Sequence, residues 1–224
     1  MSGDGYILEA RGLEKSYGRG AARVRVLRGV DLKVPAGQFV AIMGPSGCGK
    51  STLLHVLGLV TRPDAGELRI GGEMANGPEA VAARLRRRRI GIVFQRFNLL
   101  GVLSAADNVA VSLRVRGIKS NGQAQRLLEL LHVAHVARRK PAQMSIGEQQ
   151  RVAVARALAH EPDLLLADEP TGSLDSDNGR TLLEHLRHIN RQGQTIILIT
   201  HSAQAAEYAD LVLTMKDGRI VQPA

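Results

Sequence analysis

One short segment limits the folds open to this chain more than any other part of the sequence. An apolar run over residues 39–43 leads into it, and a helix-like segment over residues 52–57 follows it. A glycine loop between a strand and a helix is the context that a phosphate-binding loop requires. The residues of this loop are Gly44, Pro45, Ser46, Gly47, Cys48, Gly49, Lys50, Ser51 and Thr52.

The residue types in the loop predict its ligand. Glycines allow successive backbone N–H groups to converge on one point, and the N-terminus of the following helix adds positive potential. Lys50 is expected to reach the β- and γ-phosphates, and the Ser51 hydroxyl is expected to ligate Mg²⁺. The alternative is an ordinary glycine turn. The order of strand, loop and helix favours a nucleoside triphosphate site.

The composition narrows the class of protein. The chain has 224 residues, enough for one sizeable core, and its net charge is +9. A basic surface suits nucleic acid or an anionic membrane. The sequence has no Trp and few other aromatic residues for stacking on bases. We therefore expect a solvated or interfacial basic face and no nucleic-acid partner.

Two absences in the sequence bear on location. No stretch approaches the roughly 18 apolar residues that span a bilayer, and the N-terminus lacks a secretory pattern. The single cysteine excludes an intrachain disulfide. We expect a cytoplasmic protein.

Hydrophobic periodicity predicts an α/β fold. Period-two alternation before residue 35 indicates antiparallel strands, whereas the apolar runs 164–167 and 195–199 indicate central parallel strands covered on both faces. A helix over residues 176–191 joins these two strands in a βαβ crossover. The other expected strands are residues 7–17, 24–27, 30–34, 39–43, 67–70, 90–94 and 211–213, and the other expected helices are residues 52–57, 78–88, 105–115, 122–136 and 148–159.

The pattern changes between residues 95 and 160, where helical segments predominate. We interpret residues 95–160 as a helical subdomain inserted into a core formed by residues 1–94 and 161–224. The expected fold class is a P-loop NTPase core with a mostly parallel sheet, an N-terminal antiparallel β-subdomain and an inserted α-helical subdomain. The whole chain is expected to form one domain.

Two carboxylates follow the apolar strand over residues 164–167. Asp168 at the strand end is placed to hold the Mg²⁺ that bridges the phosphates. Glu169 can accept a proton from the water that attacks the γ-phosphorus. An Asp-Glu pair after a strand is more often a turn or a helix cap. The upstream phosphate loop makes the catalytic interpretation the stronger one.

Residues 144–158 resemble the signature loop and helix of ATP-binding-cassette ATPases. The other landmarks of that family occur along the chain in the expected order. Tyr17 is similar to the aromatic residue that stacks on adenine, and Gln95 to the glutamine-loop residue. Asp175 is similar to the D-loop aspartate, and His201 to the switch histidine. The resemblance covers essentially the whole chain.

The resemblance implies a mechanism that needs two copies of the chain. Two molecules of ATP, each with Mg²⁺, would lie between the subunits of a head-to-tail homodimer. Ser145, Gly147 and Glu148 belong to the signature segment that would meet the partner's ATP, and Asp175 would link the two sites. The metal set would be Ser51, Gln95 and Asp168, and the catalytic set Glu169, His201 and Gln95.

The resemblance also implies a membrane partner. The turn over residues 18–24 and the segments 94–100 and 168–175 resemble the branch that contains lipoprotein-releasing and macrolide-efflux ATPases. We expect a separate permease, docking at the inner face of the cell membrane, and export of a lipophilic, lipoprotein or peptide-like cargo. The alternative is an ATPase that regulates a cell-envelope process through a membrane partner without transport.

Two residues depart from the family pattern or invite further chemistry. Ile146 replaces the first of two adjacent signature glycines, and a β-branched residue disfavours positive φ. It would restrict the approach of the signature loop, unless the position has an ordinary negative φ. Cys48 lies beside Lys50 and a helix N-terminus, which favours a reactive thiolate. The alternative is a shielded small residue.

Overall fold

The computed structural model describes residues 5–221, which form two sheets and flanking helices. The fold agrees with the expected class. The strands are β1 (Tyr6–Tyr17), β2 (Val24–Pro35), β3 (Phe39–Met43), β4 (Ala65–Ile70), β5 (Glu73–Met74), β6 (Ile90–Val93), β7 (Leu164–Asp168), β8 (Thr195–Ile199), β9 (Leu211–Lys216) and β10 (Arg219–Val221).

The helices lie between these strands, and most of them fall in the second half of the chain. They are α1 (Lys50–Leu57), α2 (Glu79–Arg89), α3 (Ala105–Arg114), α4 (Gln123–Leu130), α5 (Ile146–Leu158), α6 (Ser176–Arg191) and α7 (Ala203–Ala206). Short 3-10 helices cover Gly20–Ala22, Ala134–Val136 and Pro141–Gln143.

The larger sheet has the strand order β10-β9-β3-β8-β7-β6, and all its pairs are parallel except β9 with β10. The smaller sheet is antiparallel, with the order β2-β1-β4-β5. Parallel pairing places the carboxyl ends of β3, β6, β7 and β8 at one edge of the larger sheet.

Two hydrophobic clusters lie on opposite faces of the larger sheet. Leu164 and Leu166 of β7 belong to the cluster that includes the antiparallel sheet and α1, whereas Leu165 and Ala167 belong to the cluster that includes α3, α4 and α5. Alternate residues of one strand therefore point into both cores, as a strand covered on both faces requires. The division of the chain at residues 95 and 160 stays a prediction.

Two local expectations are wrong. A single strand, β2, replaces the predicted strands 24–27 and 30–34, because the chain continues through Gly29 at a φ of 82°. The helix predicted over residues 122–136 ends at Leu130. There His132 takes a φ of 55°, and the chain turns so that Leu131 and Val133 are buried. Their apolar side chains fit the spacing of a continuing helix, although they pack into the core from a turn.

His160 is a buried titratable residue two positions beyond the end of α5. Its Nε2 lies 3.1 Å from the Ile90 carbonyl, which can only accept, so Nε2 donates. Its Nδ1 has no hydrogen-bond partner within residues 5–221. Burial, and then the nearby Arg116 guanidinium, lower the pKa of His160 to about 4.

This pKa predicts a loss of stability in mild acid. An unfolded histidine titrates near pH 6.5, so between about pH 6.5 and pH 4 the unfolded state binds more protons and stability falls as pH falls. His160→Gln keeps a donor for the Ile90 carbonyl and does not titrate. We expect denaturant unfolding at pH 7 and pH 5 to show a smaller loss in the variant, by about 1 kcal/mol. Equal losses of stability in the wild type and the variant would contradict the lowered pKa of His160.

Candidate functional site

The residues predicted to carry chemistry meet at the carboxyl edge of the larger sheet. The phosphate loop follows β3, and Glu169 follows β7. Thr200 and His201 follow β8, while Gln95 lies two residues beyond β6. Backbone hydrogen bonds join these strand ends, from Thr200 N to the Ile42 carbonyl at 3.2 Å and from Glu169 N to the Ile199 carbonyl at 2.9 Å. Four separate sequence motifs therefore share one rim.

The conformation of the phosphate loop explains two of its glycines. Gly49, the residue before α1, has a φ of 107°, a conformation that residues with a Cβ rarely adopt. A Cβ on Gly44 would lie 2.2 Å from the Met215 carbonyl oxygen, so β9 approaches too closely for any other residue. Pro45, Ser46 and Gly47 form the exposed crest of the loop. The loop thus presents backbone, rather than side chains, at the rim.

Lys50 supplies the positive charge of the loop. Its side chain is only 6% exposed, and Nζ donates to the carbonyls of Gly44 at 2.8 Å and Pro45 at 2.9 Å. None of the ion pairs within residues 5–221 involves this ammonium. A buried cation that bonds only to neutral carbonyls fits a site for an anionic group.

Ser51 and Asp168 lie side by side, as a shared cation would require. The Ser51 hydroxyl donates to Asp168 Oδ1 at 3.2 Å. Burial raises the pKa of Asp168, against the opposing effect of the Ser51 hydrogen bond. No three His, Cys, Asp or Glu side chains in the described part of the chain could hold a metal by themselves. The pair offers a hydroxyl and a carboxylate oxygen, and these oxygen ligands fit Mg²⁺, which keeps few protein ligands and completes its shell with phosphate oxygens and water.

Glu169 is held in an unusual conformation beside His201. Its φ is 43°, which is uncommon outside glycine, and its Oε2 lies 2.8 Å from His201 Nδ1. Gln95 reaches the same neighbourhood. A Cβ added to Gly172 would lie 3.5 Å from Glu169 Oε2 and 3.7 Å from Gln95 Nε2. The structure therefore brings together the three residues predicted to be catalytic.

Tyr17 and Thr52 are the remaining residues predicted to contact the nucleotide. Tyr17 ends β1, and its side chain is 45% exposed, with the Lys15 ammonium 5.7 Å from the ring centroid. An exposed ring at a strand end is available for stacking on a base. Thr52 is a half-buried residue in the first turn of α1.

Cys48 is shielded. The side chain is 8% exposed and belongs to the hydrophobic cluster beneath the loop, and a Cβ on Gly44 would lie 2.9 Å from its Sγ. Nucleophilic attack requires access as well as a thiolate. The burial supports the alternative of a small core residue over the reactive thiolate expected from the sequence.

The signature segment forms the N-terminus of α5. Ser145 is the N-cap: its Oγ accepts from Glu148 N at 3.2 Å, and Glu148 Oε2 accepts from Ser145 N at 2.7 Å. This reciprocal arrangement satisfies two otherwise free N–H groups. His135 Nε2 lies 2.8 Å from the other oxygen of Glu148, a contact that the sequence analysis missed. Glu148 therefore organises the segment from within the chain.

Ile146 has an ordinary backbone conformation. It is the first residue of α5, it is absent from the residues with positive φ, and its side chain is 52% exposed. The structure supports the alternative of an ordinary negative φ at this position, because the signature segment is already helical here. Gly147, the next residue, is buried and also helical.

Asp175 is the N-cap of α6, where its Oδ1 accepts from Asn178 N at 2.9 Å. Arg156 of α5 donates to the carbonyls of Phe97 and Asn98 at 2.9 and 2.6 Å. This contact could not be predicted from periodicity, because it joins segments distant in sequence.

Comparisons with known proteins agree with this geometry. A family model described as "ABC transporter" matches residues 27–172. The macrolide export ATP-binding/permease protein MacB of Chlorobium luteolum is 46% identical over 218 residues, which is 96% of this chain but 33% of that protein. The chain thus spans about a third of the length of the MacB relatives it matches. An uncharacterized ABC transporter ATP-binding protein of Methanocaldococcus jannaschii, MJ1508, is 40% identical and is covered over 98% of its length.

Solved structures give the same result. A dimeric structure of a post-hydrolysis state of the ATP-binding cassette MJ0796, bound to ADP and Pi, is similar with a TM-score of 0.88 and 36% identity, over 96% of this chain and 97% of that one. A second dimeric MJ0796 structure has a TM-score of 0.87 and 38% identity. The chain therefore belongs to the ABC transporter family, as an ATP-binding-cassette ATPase that uses ATP and Mg²⁺.

Proposed function

We propose that this chain is the ATP-hydrolysing subunit of a transporter, and that it dimerises head-to-tail around two Mg-ATP to drive a separate permease. The observation that carries the proposal is the shared rim, where Lys50, the Ser51–Asp168 pair and the Glu169–His201 pair lie at adjoining strand ends. Cation, metal ligands and general base are the parts that phosphoryl transfer to water needs.

The roles of the rim residues follow from their chemistry. The loop from Gly44 to Thr52 would hold the phosphates, with Lys50 released from its carbonyl partners to face the β- and γ-phosphates. Tyr17 would stack on adenine. Ser51, Asp168 and Gln95 would hold Mg²⁺, which neutralises charge developing on the phosphate oxygens.

Glu169 would act as the general base toward the attacking water. Its carboxylate is a hydrogen-bond partner of His201, so the histidine can orient it, and the neighbouring Gln95 amide can position the water. His201 would contact the γ-phosphate in the assembled site. Asp175, at the N-terminus of α6, would face the second site across the dimer.

A second subunit supplies what one chain lacks. Ser145 and Ile146 are exposed, and the hydrogen bonds of Ser145 within residues 5–221 go to other residues of the signature segment. An exposed helix N-terminus is suited to a phosphate. Ser145, Gly147 and Glu148 would therefore face the ATP held by the partner's phosphate loop. The dimeric MJ0796 structures support this arrangement.

The membrane side of the proposal rests on the relatives. No helix within residues 5–221 is long and apolar enough to cross a membrane, and MacB proteins combine an ATP-binding part with a permease in one chain. We infer that this chain acts at the cytoplasmic face of the membrane with a permease subunit. The cargo would be lipophilic, a lipoprotein or peptide-like, and would move outward.

The first test of the function is Glu169→Gln. The amide keeps a hydrogen bond to His201 but cannot accept a proton, so ATP should bind without turnover and trap a dimer. Size-exclusion chromatography with Mg-ATP should show the dimer, and phosphate release should nearly vanish. Lys50→Ala, which removes the loop cation, is the control that should fail to bind nucleotide. A Glu169→Gln protein that stays monomeric and hydrolyses ATP normally would contradict both the role of Glu169 as general base and the ATP-dependent dimer.

Ile146 offers a second test, because the effect of its side chain can be measured apart from the effect of its backbone conformation. Its helical φ makes glycine unnecessary, so any hindrance to dimer closure comes from the exposed side chain. We expect Ile146→Ala and Ile146→Gly to raise the basal ATPase rate alike, up to about tenfold if closure gains ~1.4 kcal/mol. A rise with glycine alone would implicate the backbone. Equal rates in all three proteins would show that Ile146 does not limit closure.

Transport itself requires the membrane partner. We expect a membrane protein to co-purify with the Glu169→Gln dimer, and the two together to move cargo in ATP-dependent fashion in reconstituted vesicles. ATP hydrolysis stimulated by that partner without any cargo movement would instead favour a regulatory ATPase that acts on the cell envelope.

A further inference from the structure

Asn178 joins two of the segments that the proposed dimer would use. It lies in the first turn of α6, where its Nδ2 donates to Asp175 Oδ2 at 2.8 Å. Its Oδ1 faces α5 and accepts from Arg151 Nη1 at 3.3 Å. Because Asp175 can only accept and Arg151 can only donate, these partners fix the orientation of the amide. One side chain therefore contacts both the D-loop cap and the signature helix.

Gly147 packs directly on this amide. A Cβ on Gly147 would lie 2.7 Å from Asn178 Oδ1 and 2.9 Å from its Cγ. Gly147 is buried and helical, so its backbone conformation does not require glycine. The residue before it, Ile146, carries a large exposed side chain. A side chain at position 147 would therefore meet Asn178 of the same chain, and the backbone conformation would not oppose it.

Helix capping alone does not account for Asn178. A capping role explains its two bonds to Asp175, which are local to the first turn of α6. It does not explain why the Oδ1 faces Arg151 or why Gly147 lies within contact distance. Adding a Cβ at position 147 would force the amide to rotate, and rotation would break its bonds to both Asp175 and Arg151.

We propose that Asn178 is a positioning residue that holds Gly147 and Asp175 in a fixed relation, so that the signature segment and the D-loop meet the partner subunit as one preformed surface. This inference rests on the proposed dimer. Its physical basis is preorganisation: two segments already fixed relative to each other lose less conformational freedom when the dimer forms. Loss of the amide should therefore weaken ATP-dependent dimerisation while leaving ATP binding by the monomer intact.

The test uses Asn178→Ala in the Glu169→Gln background. Alanine is a good helix former, so α6 should remain folded. Titration with Mg-ATP, followed by size-exclusion chromatography, should show that the protein concentration at half-dimerisation rises about fivefold or more. Binding of a fluorescent ATP analogue to dilute monomer should be unchanged. The matched control is Asp177→Asn, which alters the exposed neighbour that pairs with Arg180 and should leave dimerisation as it was.

A double-mutant cycle tests the contact without relying on a dimer. Gly147→Ala should lower the melting temperature of the monomer by several degrees, and the same change in an Asn178→Ala background should have little effect. Equal losses in both backgrounds would overturn the proposed contact. If Asn178→Ala reaches half-dimerisation at the same protein concentration as its parent, the positioning role of Asn178 is overturned. If Glu169→Gln itself never dimerises, the proposed function fails, and the positioning role fails with it, while the cycle still decides the contact.

Discussion

Parallel pairing of β3, β8, β7 and β6 is the constraint on which the rest of the structure depends. Strands that run in one direction end at one edge, so whatever follows each strand in sequence is brought to the same rim. Such strands need cover on both faces, and the two hydrophobic clusters supply it. The site therefore lies where the sheet stops and the buried core gives way to solvent.

Two charged groups at this rim are buried, and neither belongs to an ion pair within residues 5–221. Lys50 is a buried cation bonded to carbonyls, and Asp168 is a carboxyl whose pKa burial raises. In the proposed site, a phosphate with Mg²⁺ would supply an anion to the first group and a cation to the second. The same ligand would thus satisfy both groups, which gives a physical reason for the loop and the strand-end carboxylate to occur together.

The sequence was informative where a requirement is local. The phosphate loop needs a glycine where its backbone takes a positive φ, as at Gly49, and a buried strand must be apolar throughout, as β7 is before Asp168. The sequence pattern gave a wrong prediction where tertiary packing determines the local structure. Leu131 and Val133 continued a helical pattern although they are buried from a turn. The family pattern of adjacent glycines made positive φ a concern at Ile146, but residues 146 and 147 are both helical, and the close neighbour at Gly147 is the side chain of Asn178.

The signature helix α5 connects surfaces that act at different places. Near its N-terminus, Gly147 and Arg151 contact Asn178, which is bonded to Asp175. Further along, Arg156 donates to the carbonyls of Phe97 and Asn98, in the loop that begins at Gln95. Arg156 is half-buried, and burial lowers its pKa, so the loss of these two carbonyl partners would destabilise the charged side chain. In the proposed dimer, a displacement of α5 by the partner's ATP would either move the Gln95 loop with it or break these charged hydrogen bonds. The first outcome keeps the bonds, so α5 would act as a rigid connection from the proposed nucleotide surface to that loop.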